Sequence, residues 1–259
     1  MLRQSPEDQV LSENRAAPHP ILNRYYQTEA QRQAYVSTSF DETAEHYDRI
    51  NSWLSFGTDR RYRKEALLRA GLKAGMKVAD VGCGTGLVSD IAREVVGPEG
   101  SVVSIDPSRG MLMEAVRRGR VNWPLRGKGE ALPIAEASVD FLTMSFALRH
   151  VADLEETFRE YKRVLRPGGR LLLLEMTPPR RGLLRFLLKA HMRYVIPFMT
   201  RISTGSQTAT SLYEYCWDTF DHCVPPDQVM AALDAAGLQE VDRFVCIRIF
   251  SEYTAQKAA

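Results

Sequence analysis

At 259 residues, with 44% hydrophobic and 25% charged side chains, the chain has the composition of an ordinary globular protein and the length for one substantial core. Its 34 Lys and Arg against 32 Asp and Glu leave a formal net charge of +2, which gives no global reason to expect a nucleic-acid partner. Four scattered cysteines, Cys83, Cys216, Cys223 and Cys246, lack the short paired spacings of a zinc site and suit a reduced, cytoplasmic chain with no metal.

The first ten residues, MLRQSPEDQV, carry acids and no apolar core, unlike a secretory signal. No window of about 20 residues is apolar enough to span a bilayer. Residues 1 to about 35 are polar, with Pro6, Pro18 and Pro20 and no sustained period, and read as a mobile or draped arm. From Phe40 to about Gly71 helical spacing sets in, with a break expected at Ser55-Phe56-Gly57.

Beyond this, short apolar runs alternate with helical patterns, the signature of βαβ units around a parallel sheet. Strands are expected at 77–81, 101–105, 121–125, 139–146 and 170–176. Between the last two, DLEETFREYKRVLRPGG places Leu154, Phe158, Tyr161 and Leu165 on one helical face and ends in a Pro-Gly-Gly stop. A helix over 226–236 and a strand pair at 240–246 and 249–254 complete an α/β, doubly wound, mostly parallel sheet of seven strands.

The segment 177–213 breaks the rhythm. It is rich in Leu and aromatic residues and holds no acid between Glu175 and Glu214. Two readings stand: a cap helix packed on the sheet, or a basic, greasy lid over a hydrophobic substrate, with peripheral membrane contact through 180–201.

The stretch Val78-Ala79-Asp80-Val81-Gly82-Cys83-Gly84-Thr85-Gly86 ends a strand in an acid and three alternating glycines, a turn that lets backbone approach a ligand closely. The dinucleotide fingerprint is spaced differently, and Asp80 would repel a pyrophosphate while suiting an ammonium group. Asp106 closes the second strand, where its carboxylate can accept from ribose hydroxyls. A nucleoside carrying an amino acid instead of phosphates is S-adenosylmethionine (SAM). A nicotinamide dehydrogenase is disfavoured on both counts.

These motifs, together with YDRINSWLSFGTDRRYR at 47–63, IDPSRGML at 105–112, GEALP at 129–133, SFALRHV at 145–151 and RVLRPGGRLLLLEMT at 163–177, resemble the ubiquinone and menaquinone biosynthesis C-methyltransferases, the UbiE and MenG type within the class I methyltransferases. The resemblance covers roughly Phe40 to Thr254. It implies a SAM-binding domain over 71–259, with 177–213 as cap, and an amino-terminal part, 1–70, that closes over SAM. It further implies Tyr47 near the methionine end, Gly82, Gly84 and Thr85 as cradle, Asp106 on the ribose, Lys128-Gly129-Glu130 beside the adenine, and Ser145 near the sulfonium. Tyr47 as a helix-face core residue and Ser145 as a plain strand end are the alternatives. The family's usual G-[LI]-R-N stands here as Ala147-Leu148-Arg149-His150, and Asp59 and Lys128 also depart from its pattern.

SAM would be converted to S-adenosylhomocysteine (SAH), with a hydroxylated aromatic, quinol or phenolic metabolite as the acceptor. Arg149 can stabilise a developing phenolate or enolate, and His150 can take the proton near neutral pH. The alternatives are an Arg149 ion pair with Asp153 or Glu155, a solvated His150, and His222 as a competing base. O- or N-methylation of a small secondary metabolite, or SAM binding without transfer, remain open, as does a homodimer.

Overall fold

The computed structural model describes residues 16–55 and 57–259; the first part of the expected arm lies outside them. Seven strands form one sheet in the order β3-β2-β1-β4-β5-β7-β6. The strands are β1 (Lys77–Val81), β2 (Ser101–Asp106), β3 (Trp123–Arg126), β4 (Val139–Ser145), β5 (Leu165–Met176), β6 (Gln239–Cys246) and β7 (Phe250–Gln256). The first five run parallel, and β7 lies antiparallel between β5 and β6.

The central strands are mainly apolar because both faces are covered, as a parallel sheet requires, with Asp80, Ser104, Thr143 and Ser145 among the buried polar exceptions. Their side chains alternate between two layers. Leu142 and Met144 of β4 and Leu171 and Leu173 of β5 face one layer, with α5 (Leu154–Val164) and α9 (Pro226–Ala235). Phe141, Leu172 and Leu174 face the other, with α2 (Asp59–Arg69) and α3 (Leu87–Val96). Helix α4 (Arg109–Arg117) follows β2, with Ser108 Oγ accepting from the Met111 amide at its start.

Two boundaries differ from the sequence reading. Helix α5 stops at Val164, ahead of the Pro-Gly-Gly; Leu165 already pairs with Val139, and the register shifts before Phe141 meets Arg170. More consequentially, the expected arm is helical from Glu29. Helix α1 (Glu29–Leu54) opens on Thr28, whose side chain accepts from the Gln31 amide. Its face is built mainly of polar groups that find partners across the fold, so apolar periodicity could not reveal it. Residues 16–28 drape over the body: Tyr26 is buried, and the Ala16 and Val224 amides donate to Asp153 Oδ2 and to the Pro18 carbonyl.

Helix α1 crosses the carboxyl edge of the sheet and is fastened there by two carboxylates. Asp41 accepts from Ser108 Oγ and the Gly110 amide, at 2.5 and 2.8 Å. Asp48 accepts from Thr85 Oγ1, Arg118 and Arg120. A Cβ on Gly110 would come within 2.6 Å of the Asp41 carbonyl oxygen. We therefore expect Gly110→Ala to lift α1 from the edge, lowering stability by about 1–3 kcal/mol and weakening SAH binding. Denaturant titration and calorimetry check both, and an unchanged affinity would detach α1 from ligand binding.

Candidate active site

The sheet order reverses between β1 and β4, and the crevice beyond their carboxyl ends is where open α/β sheets bind ligands. Here β1 gives way to the glycine turn. Gly82 and Gly84 adopt φ of 66° and 55°, a region that disfavours side chains. A Cβ on Gly82 would strike the Ala147 Cβ at 2.7 Å, whereas one on Gly84 would project into open space. That space is a cavity of about 670 Å³ between the sheet edge and α1. A second cavity of about 200 Å³ adjoins it, and both are lined by Tyr47, Gly82, Gly84 and Ser145.

Most of the expected ligand-binding residues converge on this pair of cavities. Asp106 borders the larger one, its two oxygens each held at 2.8 Å by the Gly84 and Ser108 amides. Burial pushes its pKa up to about 6. Lys128, Gly129 and Glu130 also border it; Lys128 is exposed and donates to Gln33 of α1 at 2.8 Å, while Glu130 accepts from the Ala152 amide. Ser145 is buried, and its hydroxyl has no hydrogen-bond partner among the described residues. Thr85 borders the smaller cavity and is tied to Asp48.

Asp80 corrects a sequence expectation. It lies behind the glycine turn instead of on either cavity wall, accepting from Ser89 Oγ at 2.6 Å, with Ser89 in turn 2.7 Å from Ser104. Burial pushes its pKa up to about 7, and one oxygen has no partner among the described residues.

The three catalytic candidates separate. His150 borders the larger cavity, half-buried, with Phe40 at 5.3 Å and Tyr215 at 5.8 Å between ring centroids. Its Nε2 is buried and has no partner among the described residues, and burial together with Arg149 holds its pKa well below 6.5. Arg149 corrects the expectation of an anion-stabilising group. Its side chain is buried away from both cavities, 3.4 Å from Glu175 of β5, stacked 4.1 Å over the Phe220 ring, and donating to the Phe146 carbonyl. The partner is a strand carboxylate; Asp153 instead caps α5 through the Glu156 amide. His222 is also corrected: it is exposed at the end of α8 (Gln207–His222), its Nδ1 2.7 Å from the Asp218 carbonyl.

Arg149 holds up a strained turn. Phe146 follows the last residue of β4 with φ of 57°, a conformation that costs a non-glycine residue about 1–3 kcal/mol. Both Phe146 and Ser145 border the larger cavity, so the guanidinium acts on the site through the backbone.

Residues 177–213 contribute nothing to either cavity among the described residues. The roof is α1. From it come Arg32, which sequence patterning passed over, and Phe40, which the sequence marked as a helix-face residue and not as a cavity wall. Arg32 is buried, bridges to Glu29 of its own helix and donates to the His150 carbonyl at 3.0 Å. Its i, i+3 spacing from Glu29 was visible, but the target across the fold was not. Arg63 of α2, within the family signature, borders the smaller cavity beside Tyr47 and Thr85, paired with Asp59 at 2.6 Å.

These residues fit SAM. A two-lobed space meets at a glycine cradle with an unpartnered serine hydroxyl. Asp106 stands where a ribose diol could donate, and the smaller lobe holds a guanidinium for a carboxylate. Among the described residues no cluster of His, Cys, Asp and Glu is arranged to hold a metal. Fold and site together define a SAM-dependent methyltransferase.

The comparisons agree. Residues 27–246 match the ubiE/COQ5 methyltransferase family, and the chain belongs to it. A demethylmenaquinone methyltransferase of Symbiobacterium thermophilum is 31% identical over 82% of this chain and 88% of its own. A 2-phytyl-1,4-naphtoquinone methyltransferase of Synechococcus elongatus is 32% identical over 81% and 91%. A SAM-dependent methyltransferase structure from Thermotoga maritima superposes with a TM-score of 0.60 over 85% of this chain and 99% of that one, at 18% identity. One from Aquifex aeolicus gives 0.56 over 75% and 88%, at 22% identity.

Two substitutions test this geometry. Arg63→Met should weaken SAH by roughly 10- to 100-fold, the worth of a charged hydrogen bond, while leaving adenosine affinity unchanged; equal losses for both ligands would remove Arg63 from the carboxylate. Arg149→Ala should destabilise the fold by about 3–5 kcal/mol because it strands Glu175. The double variant Arg149→Met, Glu175→Gln should recover most of that stability and keep turnover within about tenfold; a stable double variant with turnover lost would return Arg149 to the chemistry.

Proposed function

We propose that this enzyme methylates a ring carbon of a quinol or a related hydroxylated aromatic bearing a hydrophobic tail. The observation that carries the reading is the part of the larger cavity's wall that the nucleoside residues Asp106 and Lys128-Gly129-Glu130 do not supply: it is made by Phe40, Met144, Phe146 and Ala147, with one neutral imidazole, His150, among them. The names of the relatives, demethylmenaquinone and 2-phytyl-1,4-naphtoquinone methyltransferases, support the same acceptor class.

Bound SAM supplies an electrophilic methyl group on a sulfonium. Tyr47 and Ser145 flank the junction of the two lobes, and their part is to hold donor and acceptor in line, since orientation can recover about 7–11 kcal/mol of barrier. His150 is the base. In the tautomer protonated at Nδ1, toward Tyr215 Oη 3.5 Å away, Nε2 keeps a lone pair with no partner among the described residues, and because that atom is buried the ring must turn toward the cavity to take the phenolic proton. The electron pair released into the ring forms the new C–C bond as the S–CH₃ bond breaks to give SAH. The ring then loses a proton and regains aromaticity.

The acceptor must therefore be reduced, because a quinone has no hydroxyl to release electrons. With deuteromethyl SAM and a short-chain demethylated naphthoquinone, we expect labelled product only in the presence of dithionite. That product should reoxidise to a methylated quinone, as a carbon-methylated ring can and a methyl ether cannot. A labelled product resistant to oxidation would replace this reading with O-methylation.

His150 can be tested separately. A folded pKa below 6.5 keeps the imidazole neutral, and the base competent, at every pH above that value; only further acidification protonates it. Single-turnover rates should thus be flat from about pH 6.5 to 8. His150→Asn, which restores the family's usual residue, should keep SAH affinity and lose at least about 100-fold in rate. A loss under threefold would end its role as base.

A further inference from the structure

The helices that follow β5 present a surface the active site does not use. Helix α6 (Leu183–Ala190) has no buried residue. It continues through one wide turn at His191–Val195 into α7 (Ile196–Thr204). Ile196, Pro197 and Thr200 form the inner side of α7, with Ile196 packed against Ile50 and Tyr213. On the outer side Leu183, Phe186, Tyr194, Phe198 and Ile202 are each 64% exposed or more. Leu183 and Phe186 are three residues apart, and Tyr194, Phe198 and Ile202 four apart, so they form two short stripes, one before the wide turn and one that starts within it.

The charges on these helices are sorted by direction. Arg185 pairs inward with Asp221 at 2.6 Å, and Arg193 with Glu214 at 3.3 Å and Asp218 at 3.7 Å. Arg180, Arg181, Lys189 and Arg201 are exposed and have no acidic partner among the described residues. No acid occurs between Glu175 and Glu214. The outward surface thus carries large apolar side chains, and the charges on it are all cations.

We propose that the outer face of α6 and α7 docks on an anionic phospholipid bilayer, lying in the plane of its interface. Apolar side chains flanked by cations are the combination that binds such surfaces. Charge decides against a second copy of this chain, since two such faces would bring unpaired cations together. No helix among the described residues is long and apolar enough to cross a membrane, so contact through this face would be peripheral. The inference rests on the surface alone and stands or falls separately from the acceptor proposed above.

Co-sedimentation of the full chain with vesicles tests it. Vesicles of phosphatidylcholine containing about one-third phosphatidylglycerol should retain the protein at least tenfold better than phosphatidylcholine alone, with retention falling as salt rises. Phe186→Ser, Phe198→Ser, Ile202→Ser in one chain should reduce retention at least tenfold while leaving SAH affinity and melting temperature unchanged. Arg180→Gln, Arg181→Gln, Lys189→Gln should abolish the preference for anionic lipid. Failure of the unmodified chain to bind the anionic vesicles, or undiminished binding by the serine variant, would overturn the proposal. So would a dimer in size-exclusion chromatography that the serine variant splits into monomers, which would assign the face to a second copy.

Discussion

The site depends on how α1 is held down. Asp41 and Asp48 are two turns apart and so share one side of the helix, and each grips a different loop at the carboxyl edge of the sheet: the turn after β2 for Asp41 and the glycine turn after β1 for Asp48. Phe40 and Tyr47, with the same seven-residue spacing, reach the cavity beside them. Partly buried, charge-assisted bonds of this sort contribute more than surface ion pairs, which are typically worth under about 1 kcal/mol. The roof over the cavities is therefore attached through polar contacts at its rims, and its apolar residues are left to face the ligand.

Fastening by carboxylates also sets the electrostatics beneath. Asp80 and Asp106 are buried below the roof, and desolvation raises their pKa values to about 7 and 6. For a carboxyl group a folded pKa above the unfolded one means that the unfolded chain releases its proton first. Stability from this source is thus fullest at low pH and declines as pH rises through the unfolded value of 3.8 toward the folded one. His150 has the opposite sign of dependence: its lowered pKa favours the fold above pH 6.5 and penalises it as pH falls through that value.

The sheet was legible because its central strands are buried on both faces and read as short, mainly apolar runs, and the glycine turn because its conformation demands glycine. What was not legible has a common cause. Arg32 and Asp48 take their meaning from partners far away in the chain, which no local period encodes, and Arg63, paired with Asp59 one turn away, takes its meaning from the cavity it borders. Arg149 misled for a sharper reason. A cation at the carboxyl end of β4 is expected to face the crevice, but the left-handed turn at Phe146 reverses the path, and the side chain runs beneath the strands to Glu175. The greasy segment 177–213 was legible as amphipathic and basic, yet its sequence does not say whether its apolar stripe faces a cavity or the outside.

Helix α8 joins these elements. Glu214, Asp218 and Asp221 recur at helical spacing along one stripe and receive Arg193 and Arg185 from the outer helices. On other sides of α8, Cys216 and Phe220 cover the Arg149 guanidinium, and Tyr215 stacks on His150. Buried ion pairs add little net stability when replaced as a unit but fix geometry strictly while present. The pair of Arg149 and Glu175 therefore does for β4, β5 and α8 what Asp41 and Asp48 do for α1: it locks a layer against the sheet edge. The same helix thus holds α6 and α7 through Arg185 and Arg193 on one side and, on another, supplies Tyr215 to the aromatic wall against which the His150 ring rests.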